Sequence, residues 1–215
     1  MVEFFISFFR SPKPLELRVG QQEEGHVLVY TDASDSPEHS GMGIILFDTV
    51  TKEKFVAEAM VPPELLASLR KSRSAIINHL ELLAILCCFL TFGDRLRGRK
   101  VLFFGDNTSS LSAIVHGYSA SADLGRLSNA VHLAMHELQC DVFYAYVPTD
   151  ANPADIPSRA RSARSKEDDY VMSKLGLDEA ESERRMVLPP LSVLEQMVSS
   201  IYIPSVQAEA GASVP

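Results

Sequence analysis

Short apolar segments alternate with polar turns in the first third of the chain. Residues 26–32, with the sequence HVLVYTD, form a compact β-branched and aromatic run that is typical of a strand buried on both faces. Residues 41–47 and 54–61 have a similar character and are joined by a polar turn at residues 48–53. Together the three segments predict an antiparallel meander.

The hydrophobic pattern then changes to alternating helices and strands. A long apolar run over residues 74–92 predicts a helix by its length and its Ser-rich start. Residues 101–105 and 142–147 predict buried strands, and the stretches 109–115 and 123–139 between them predict helices. This order predicts an α/β fold in which a mixed five-stranded sheet is flanked by helices.

The 215 residues, 46% of them hydrophobic, suffice for one full-sized core. We predict a single domain over residues 26–160, preceded by an N-terminal connecting segment, residues 1–25. Residues 161–215 are predicted to be a charged C-terminal extension with short helices, one of them amphipathic over 191–202, and a disordered end. That amphipathic piece and the apolar residues 4–9 are candidates to pack either on this domain or on a separate domain.

The sequence also bounds the cellular setting. No apolar run reaches the roughly eighteen residues that a bilayer-spanning helix requires, so we expect a soluble protein without a membrane partner. Cys87 and Cys88 are adjacent in a predicted helix and Cys140 stands alone, a pattern that favours free thiols in a reducing compartment. Because the first residues also lack a secretory signal, we expect an intracellular protein, in the cytoplasm or the nucleus.

The net charge of -8 predicts weak unaided binding to nucleic acid, because phosphate binding is driven largely by Lys and Arg. Residues 26–160 contain 11 basic and 15 acidic side chains, which gives 11 − 15 = −4. This excess of negative charge is as large as the combined charge of four carboxylates that are candidate metal ligands, Asp32, Glu81, Asp106 and Asp155.

Three of these carboxylates stand out by their position. Asp32 and Asp106 each end a short apolar strand, where ligands of open α/β sheets usually bind. Glu81 is the only charged residue between Arg73 and Asp94, and a lone buried carboxylate needs a cation, a hydrogen-bonded partner or a raised pKa. The ordinary alternatives are turn formation for the two aspartates, and an ion pair or a solvent-facing position for Glu81.

Asp155, the fourth carboxylate, lies in the sequence VPTDANPADIPSR. Asn152 is a candidate helix cap with Pro153 at the first helical position, which places Asp155 in the first turn. A carboxylate there stabilises the helix by its favourable interaction with the helix dipole, and it is also a rigid candidate ligand. A set of ligands made only of oxygen atoms suits Mg²⁺ or Mn²⁺.

The order of the four carboxylates resembles the ribonuclease H superfamily, whose catalytic set runs Asp-Glu-Asp-Asp. The resemblance covers roughly residues 26–160, and its matching pieces are YTDAS with GMGIILF, the helix around Glu81, FFGDN and NPADIPSR. The last piece is similar to the end of the ribonuclease H domain in reverse-transcribing elements, notably retroelements with a tyrosine recombinase and hepadnavirus polymerases. A ribonuclease H-like fold is therefore expected.

The resemblance implies an endonuclease that cleaves the RNA strand of RNA–DNA hybrids with two Mg²⁺ or Mn²⁺ ions, leaving a 3′-hydroxyl and a 5′-phosphate. It implies that Asp32 bridges both ions, that Glu81 and Asp106 complete one site, and that Asp155 completes the other. It also implies a nucleic-acid partner, and a reverse transcriptase domain is a candidate source of substrate affinity.

Selection of RNA requires contacts to the 2′-hydroxyl. The candidates are polar residues beside the carboxylates, and they are Ser34, Asn107 and Asn152. Arg159 is a candidate phosphate contact, although a charge at a helix end explains it equally well.

The chain also departs from the family pattern and leaves alternatives open. Many cellular members have a His in the loop before the last Asp, and here that loop has no His. They also have a basic segment between the later helices, whereas residues 117–131 of this chain contain a single basic residue, Arg126. Another nuclease on the same fold is one alternative, although residue 34 is Ser where proofreading exonucleases have Glu, and integrases order their carboxylates Asp-Asp-Glu. A non-catalytic scaffold or connection module is the other. His132 and His136 lack a third ligand and indicate a helix face rather than a zinc site.

Overall fold

The computed structural model describes residues 25–71, 73, 75–177 and 183–198. The predicted connecting segment therefore lies outside the described residues except for Gly25. The predicted disordered end and the last residues of the amphipathic stretch 191–202 lie outside them as well.

The described strands form one mixed sheet. In chain order they are β1 (Val27–Asp35), β2 (Ser40–Asp48), β3 (Lys54–Met60), β4 (Lys100–Gly105), β5 (Asp141–Tyr146) and β6 (Glu183–Arg185). Their spatial order is β5-β4-β1-β2-β3-β6. β1, β2 and β3 are antiparallel neighbours, whereas β4 is parallel to β1 and β5 is parallel to β4. The predicted meander and five-stranded mixed sheet are confirmed, and the short β6, parallel to β3, was not predicted.

Helices flank this sheet. They are α1 (Pro63–Arg70), α2 (Ile77–Thr91), α3 (Gly93–Leu96), α4 (Thr108–His116), α5 (Ala122–Leu138), α6 (Asp155–Ser158), α7 (Lys166–Leu175) and α8 (Leu191–Val198). The sequence predicted α2, α4, α5 and α8 within a few residues of these bounds. It did not predict α1, because two consecutive prolines, Pro62 and Pro63, more often interrupt a helix than begin one. A proline is well tolerated at the first position of a helix, and Pro63 occupies that position in α1.

The main core lies between one face of the sheet and the helices α2 and α5. Every residue of α2 from His79 to Phe89 is buried, as expected for a helix that is apolar almost all round. Val27 and Val29 of β1 point to this face and are completely buried. Leu194 of α8 also belongs to this core, so part of the C-terminal extension packs on the domain.

A second, smaller core lies on the opposite face, where α6 and α7 cover β2 and β3. It contains Ile45 and Val56 from the sheet together with Ile156, Met172 and Leu177. The prediction that β1 is buried on both faces is wrong for this side of the strand. Leu28 and Tyr30 are only half-buried there.

None of the helices that the structure describes is long and apolar enough to cross a membrane. Cys87, Cys88 and Cys140 are buried free thiols, as predicted.

Candidate metal centre

Three carboxylates meet where β1 stops pairing with β4. The prediction that Asp32 ends its strand is wrong, because β1 continues to Asp35. β1 and β4 are parallel neighbours, with Tyr30 opposite Phe104, so the residues two places further on, Asp32 and Asp106, lie side by side. Glu81 reaches the same point from α2. One carboxylate oxygen from each of the three residues lies within 4.8 Å of the others. The structure brings these three predicted site residues together, and their role as metal ligands stays a prediction.

The cluster is buried and dominated by negative charge. Asp32 and Glu81 are each 4% exposed. Burial, together with repulsion from Asp106 and Asp155, raises the pKa of Asp32 to about 7, although a hydrogen bond from Ser158 opposes this rise. Burial and repulsion from Asp32 and Asp106 raise the pKa of Glu81 to about 9. A set of carboxylates that disfavours its own ionisation in this way is suited to a divalent cation.

Hydrogen bonds hold Glu81 and the loop after β4 in place. The backbone N–H of Ala33 donates to Glu81 Oε1 over 3.4 Å. Asn107, directly after Asp106, donates from Nδ2 to Asn78 Oδ1 over 2.8 Å. Asn78 therefore joins α2 to the Asp106 loop. Sequence reasoning missed this residue, although its position one helical turn before Glu81 was a usable signal.

Asp155 stands apart from the other three carboxylates. It is the first residue of α6, and its carboxylate forms an ion pair with Arg159, the residue that follows this helix. Burial raises the pKa of Asp155, repulsion from Asp106 adds to this rise, and the Arg159 charge opposes it. Asp155 is therefore close enough to interact electrostatically with the cluster but is not among the residues whose oxygens lie within 4.8 Å of one another.

A close approach of α6 to the sheet sets the position of Asp155. Gly43 of β2 lies opposite Asp32 of β1. A Cβ atom at Gly43 would lie 2.5 Å from the Ala154 carbonyl oxygen and 2.6 Å from the Ser158 backbone nitrogen. Only glycine allows α6 to pack this closely against β2.

Ser158, at the end of α6, links several parts of the site. Its hydroxyl has one proton to donate and two acceptors in reach, the Asp155 carbonyl oxygen, 2.9 Å away, and the Asp32 carboxylate. Donation to Asp32 lowers the pKa of that carboxyl. Its own carbonyl oxygen accepts a hydrogen bond from the Ser34 hydroxyl over 2.6 Å. No feature of the sequence marked Ser158 as a site residue, because a serine near a helix end is common.

The residues predicted to contact the substrate form hydrogen bonds within the chain. Asn107 Oδ1 accepts from the backbone nitrogens of Ser109 and Ser110 and so caps α4. Asn152 is 4% exposed; its Nδ2 donates to the Thr31 carbonyl oxygen and its Oδ1 accepts from Ala154. The prediction that Asn152 caps a helix with Pro153 at its first position is wrong by two residues, because α6 begins at Asp155. The substrate contacts themselves stay predictions.

His132 on α5 contacts the neighbouring helix α4. His132 Nε2 lies 2.9 Å from the carbonyl oxygen of Ile114 in α4. This contact agrees with the expected helix face.

No family model matches the chain, and neither does any curated protein. Solved structures do resemble it. RNase H1 from the halophilic archaeon Halobacterium salinarum has 16% identity and a TM-score of 0.49, over 62% of this chain and 94% of that one. LC11-RNase H1, isolated from compost by a metagenomic approach, has 16% identity and a TM-score of 0.49, over 61% and 91%. The N-terminal RNase H domain of Rv2228c from Mycobacterium tuberculosis has 9% identity and a TM-score of 0.45, over 71% and 99%.

Similarity at this level concerns the fold alone. The sheet itself identifies that fold, because the central order β5-β4-β1-β2-β3 combines an antiparallel meander with two parallel strands. The chain has the ribonuclease H-like fold that the resemblance in sequence predicted.

Proposed function

We propose that this chain is a metal-dependent endoribonuclease that cleaves the RNA strand of RNA–DNA hybrids by a two-metal mechanism. The observation that carries the proposal is the meeting of Asp32, Glu81 and Asp106, whose carboxylate oxygens lie within 4.8 Å of one another. These donors are all oxygens, which fits Mg²⁺ or Mn²⁺. Their burial and mutual repulsion also fit a cation, since a cation offsets both costs.

Four carboxylates are the proposed ligands of the two ions. In the proposal Asp32 bridges both ions, Glu81 and Asp106 complete one site, and Asp155 completes the other. When bound, two divalent ions supply an activated water and stabilise the leaving oxygen of the phosphodiester. The chain's own contribution is to hold these carboxylates together in a buried place, with Ser158 orienting Asp32 from the end of α6.

Selection of RNA requires polar groups at the rim of the site. Ser34 follows Asp32 by two residues and points to the same face of β1, where it is half-buried. Its hydroxyl and the amides of Asn107 and Asn152 are the proposed contacts to the 2′-hydroxyl. Arg159, of which 44% of the side chain is exposed, is the proposed contact to phosphate.

Substrate affinity is proposed to depend on a partner. The chain carries a net charge of -8, which opposes binding to a polyanion. The NPADIPSR sequence resembles reverse-transcribing elements, so a reverse transcriptase domain is the proposed source of additional affinity and reverse transcription is the proposed setting.

The experiment that tests the activity uses an RNA–DNA hybrid with a labelled RNA strand, incubated with the chain and Mn²⁺ at low salt. Duplex DNA and duplex RNA serve as substrate controls. Asp106→Asn removes one proposed ligand charge with little change in shape. Asp150→Asn is the matched control, because Asp150 is exposed in the turn that precedes α6.

We expect cleavage of the RNA strand in the hybrid only, with 5′-phosphate ends, and we expect Asp106→Asn but not Asp150→Asn to abolish it. Binding of Mn²⁺, measured by calorimetry, is expected to weaken in the same variant. Absence of cleavage together with absence of Mn²⁺ binding would instead favour the non-catalytic scaffold module.

A further inference from the structure

The second face of the sheet is apolar over β1, β4 and β5, beyond the part that α6 and α7 cover. We call this region the open face, and its residues are Leu28, Leu102, Phe104, Phe143 and Ala145. Phe143 is 67% exposed, and the other four residues are half-buried. Leu28, Leu102, Phe104 and Phe143 belong to neither of the two core clusters formed by the described residues.

The strand register makes the open face continuous. Leu28 lies opposite Leu102, and Leu102 lies opposite Phe143, so these three side chains form one row across β1, β4 and β5. Phe104 and Ala145 form the next row. Because paired residues on neighbouring strands point to the same face, the two rows make one patch about 10 Å wide across the strands.

A patch of this composition indicates a contact surface. Water-exposed aromatic and aliphatic side chains that are contiguous, rather than scattered, mark sites where another apolar segment packs. Tyr30 forms the border with the covered half: it packs against the second core and stacks on Phe104, with ring centroids 4.8 Å apart.

We propose that the N-terminal residues of this same chain cover the open face, with residues 4–9, FFISFF, packed on Leu102, Phe104 and Phe143. Residues 4–9 hold four phenylalanines and one isoleucine without a charge. They fit an aromatic and aliphatic surface, since burying both partners removes apolar area from water.

Chain continuity supports this occupant. Gly25 and His26 directly precede β1, and the second residue of β1 is Leu28, itself part of the open face. Phe9 is 16 residues before Gly25 (25 − 9). An extended chain of that length spans about 50 Å, several times the width of the patch.

The C-terminal residues 199–215 are less suited to the open face. They follow α8, whose Leu194 packs in the main core with α2 and α5. The chain therefore leaves α8 on the opposite face of the sheet. They also contain no phenylalanine.

A single tryptophan tests the proposal in the full chain, because the natural sequence has none. Phe8→Trp places a fluorophore in the segment that we propose covers the open face. The reference is a synthetic peptide of residues 1–24 with the same substitution. Phe143→Asp is added to disrupt the open face, and its matched control is Val115→Asp, since Val115 is 63% exposed on α4 and outside the open face.

We expect the Phe8→Trp chain to emit at shorter wavelength than the peptide and to show an acrylamide quenching constant at most half as large. Phe143→Asp should return both quantities to the peptide values, whereas Val115→Asp should leave them unchanged. Peptide-like emission in the undisturbed chain, or no response to Phe143→Asp, would overturn the proposal. Quenching that changes on dilution would also overturn it, because it would identify a second copy of the chain as the occupant.

A disulfide provides a second measurement that does not depend on fluorescence. The pair Phe5→Cys with Ala145→Cys should form an intramolecular disulfide under mild oxidation, and the pair Phe5→Cys with Val115→Cys should not. Equal yields in the two pairs would overturn the proposal. Far-UV circular dichroism checks that each variant is folded.

Discussion

Asp155, the first residue of α6, and Arg159, the residue that follows α6, form a two-point ion pair. Arg159 Nε lies 3.1 Å from Asp155 Oδ1, and a terminal guanidinium nitrogen contacts Oδ2. Both oxygens of the fourth proposed metal ligand are therefore engaged by the neighbouring arginine. Binding of a cation by Asp155 has to compete with this ion pair.

The first prediction follows from that competition. Arg159→Gln should raise the affinity for Mn²⁺ about two- to fivefold, since a partly exposed ion pair is worth up to about 1 kcal/mol. Isothermal titration calorimetry measures the change. Arg161→Gln is the matched control, because Arg161 pairs with Glu58 of β3 instead. Weaker Mn²⁺ binding by Arg159→Gln than by Arg161→Gln would contradict competition.

The second prediction concerns the stability of the metal-free protein. The pKa of Asp32 is raised to about 7 and that of Glu81 to about 9, so the folded state keeps protons that the unfolded state has already released. A raised carboxyl pKa means that stability is lost as pH rises from the ordinary values near 4 towards 9. Glu81→Gln removes the cost of keeping Glu81 protonated above the ordinary carboxyl pKa, and in EDTA at pH 8 it should stabilise the fold by roughly 1–3 kcal/mol.

Urea unfolding of the wild type and Glu81→Gln at pH 5 and pH 8 checks this expectation. The gain in the variant should be larger at pH 8, and added Mn²⁺ should stabilise the wild type more than the variant. Glu64→Gln, at an exposed position in α1, is the control and should change stability by less than about 0.5 kcal/mol. A variant less stable than the wild type at pH 8 would mean that Glu81 is held by groups other than a cation.

The third prediction concerns a buried ion pair that positions α2. Asp123 at the start of α5 binds Arg73 and lies 2.8 Å from His79 Nε2. Burial by itself would raise the pKa of Asp123, but hydrogen bonds from Ser121 and His79 and the Arg73 charge lower it to about 2. Asp123→Asn should therefore cost about 3 kcal/mol at pH 7, the scale for breaking a buried pair.

The pH dependence separates this effect from a general packing defect. A lowered carboxyl pKa contributes stability that is present above the unfolded value, near 3.8, and is lost as pH falls towards 2. The difference between the wild type and Asp123→Asn should shrink over that acid range. A difference that stays constant down to pH 2 would show that the charge of Asp123 is not its cause.

The fourth prediction tests the close contact between β2 and α6. An alanine at residue 43 would push its Cβ against the backbone of α6 and displace Asp155. Gly43→Ala should destabilise the fold by about 1–3 kcal/mol and reduce hybrid cleavage. Gly125→Ala is the matched control: its nearest neighbour would be 3.9 Å away, and alanine in a helix should stabilise by up to about 1 kcal/mol. Equal stability of the two variants would contradict the close packing of α6.

The sequence by itself determined the order of the strands β1 to β5 and of the helices α2, α4 and α5 among them, and it indicated the burial of Glu81. Both depend on local patterns: strands and helices differ in the period of their apolar residues, and Glu81 is the only charge in an otherwise apolar helix. The candidates Asp32 and Asp106 were also recognisable from sequence, because each follows a short apolar run. None of these inferences required knowledge of distant contacts.

Only the tertiary structure decided which of these residues meet. The three clustered carboxylates come from β1, α2 and the end of β4, and their separation depends on sheet register and helix packing, which no local pattern encodes. The same holds for the pairing of Asp155 with Arg159, for β6 and for the packing of Leu194 in the main core. The half-burial of Leu28 is a further case, because an apolar strand residue has the same sequence signature whether or not a helix covers it.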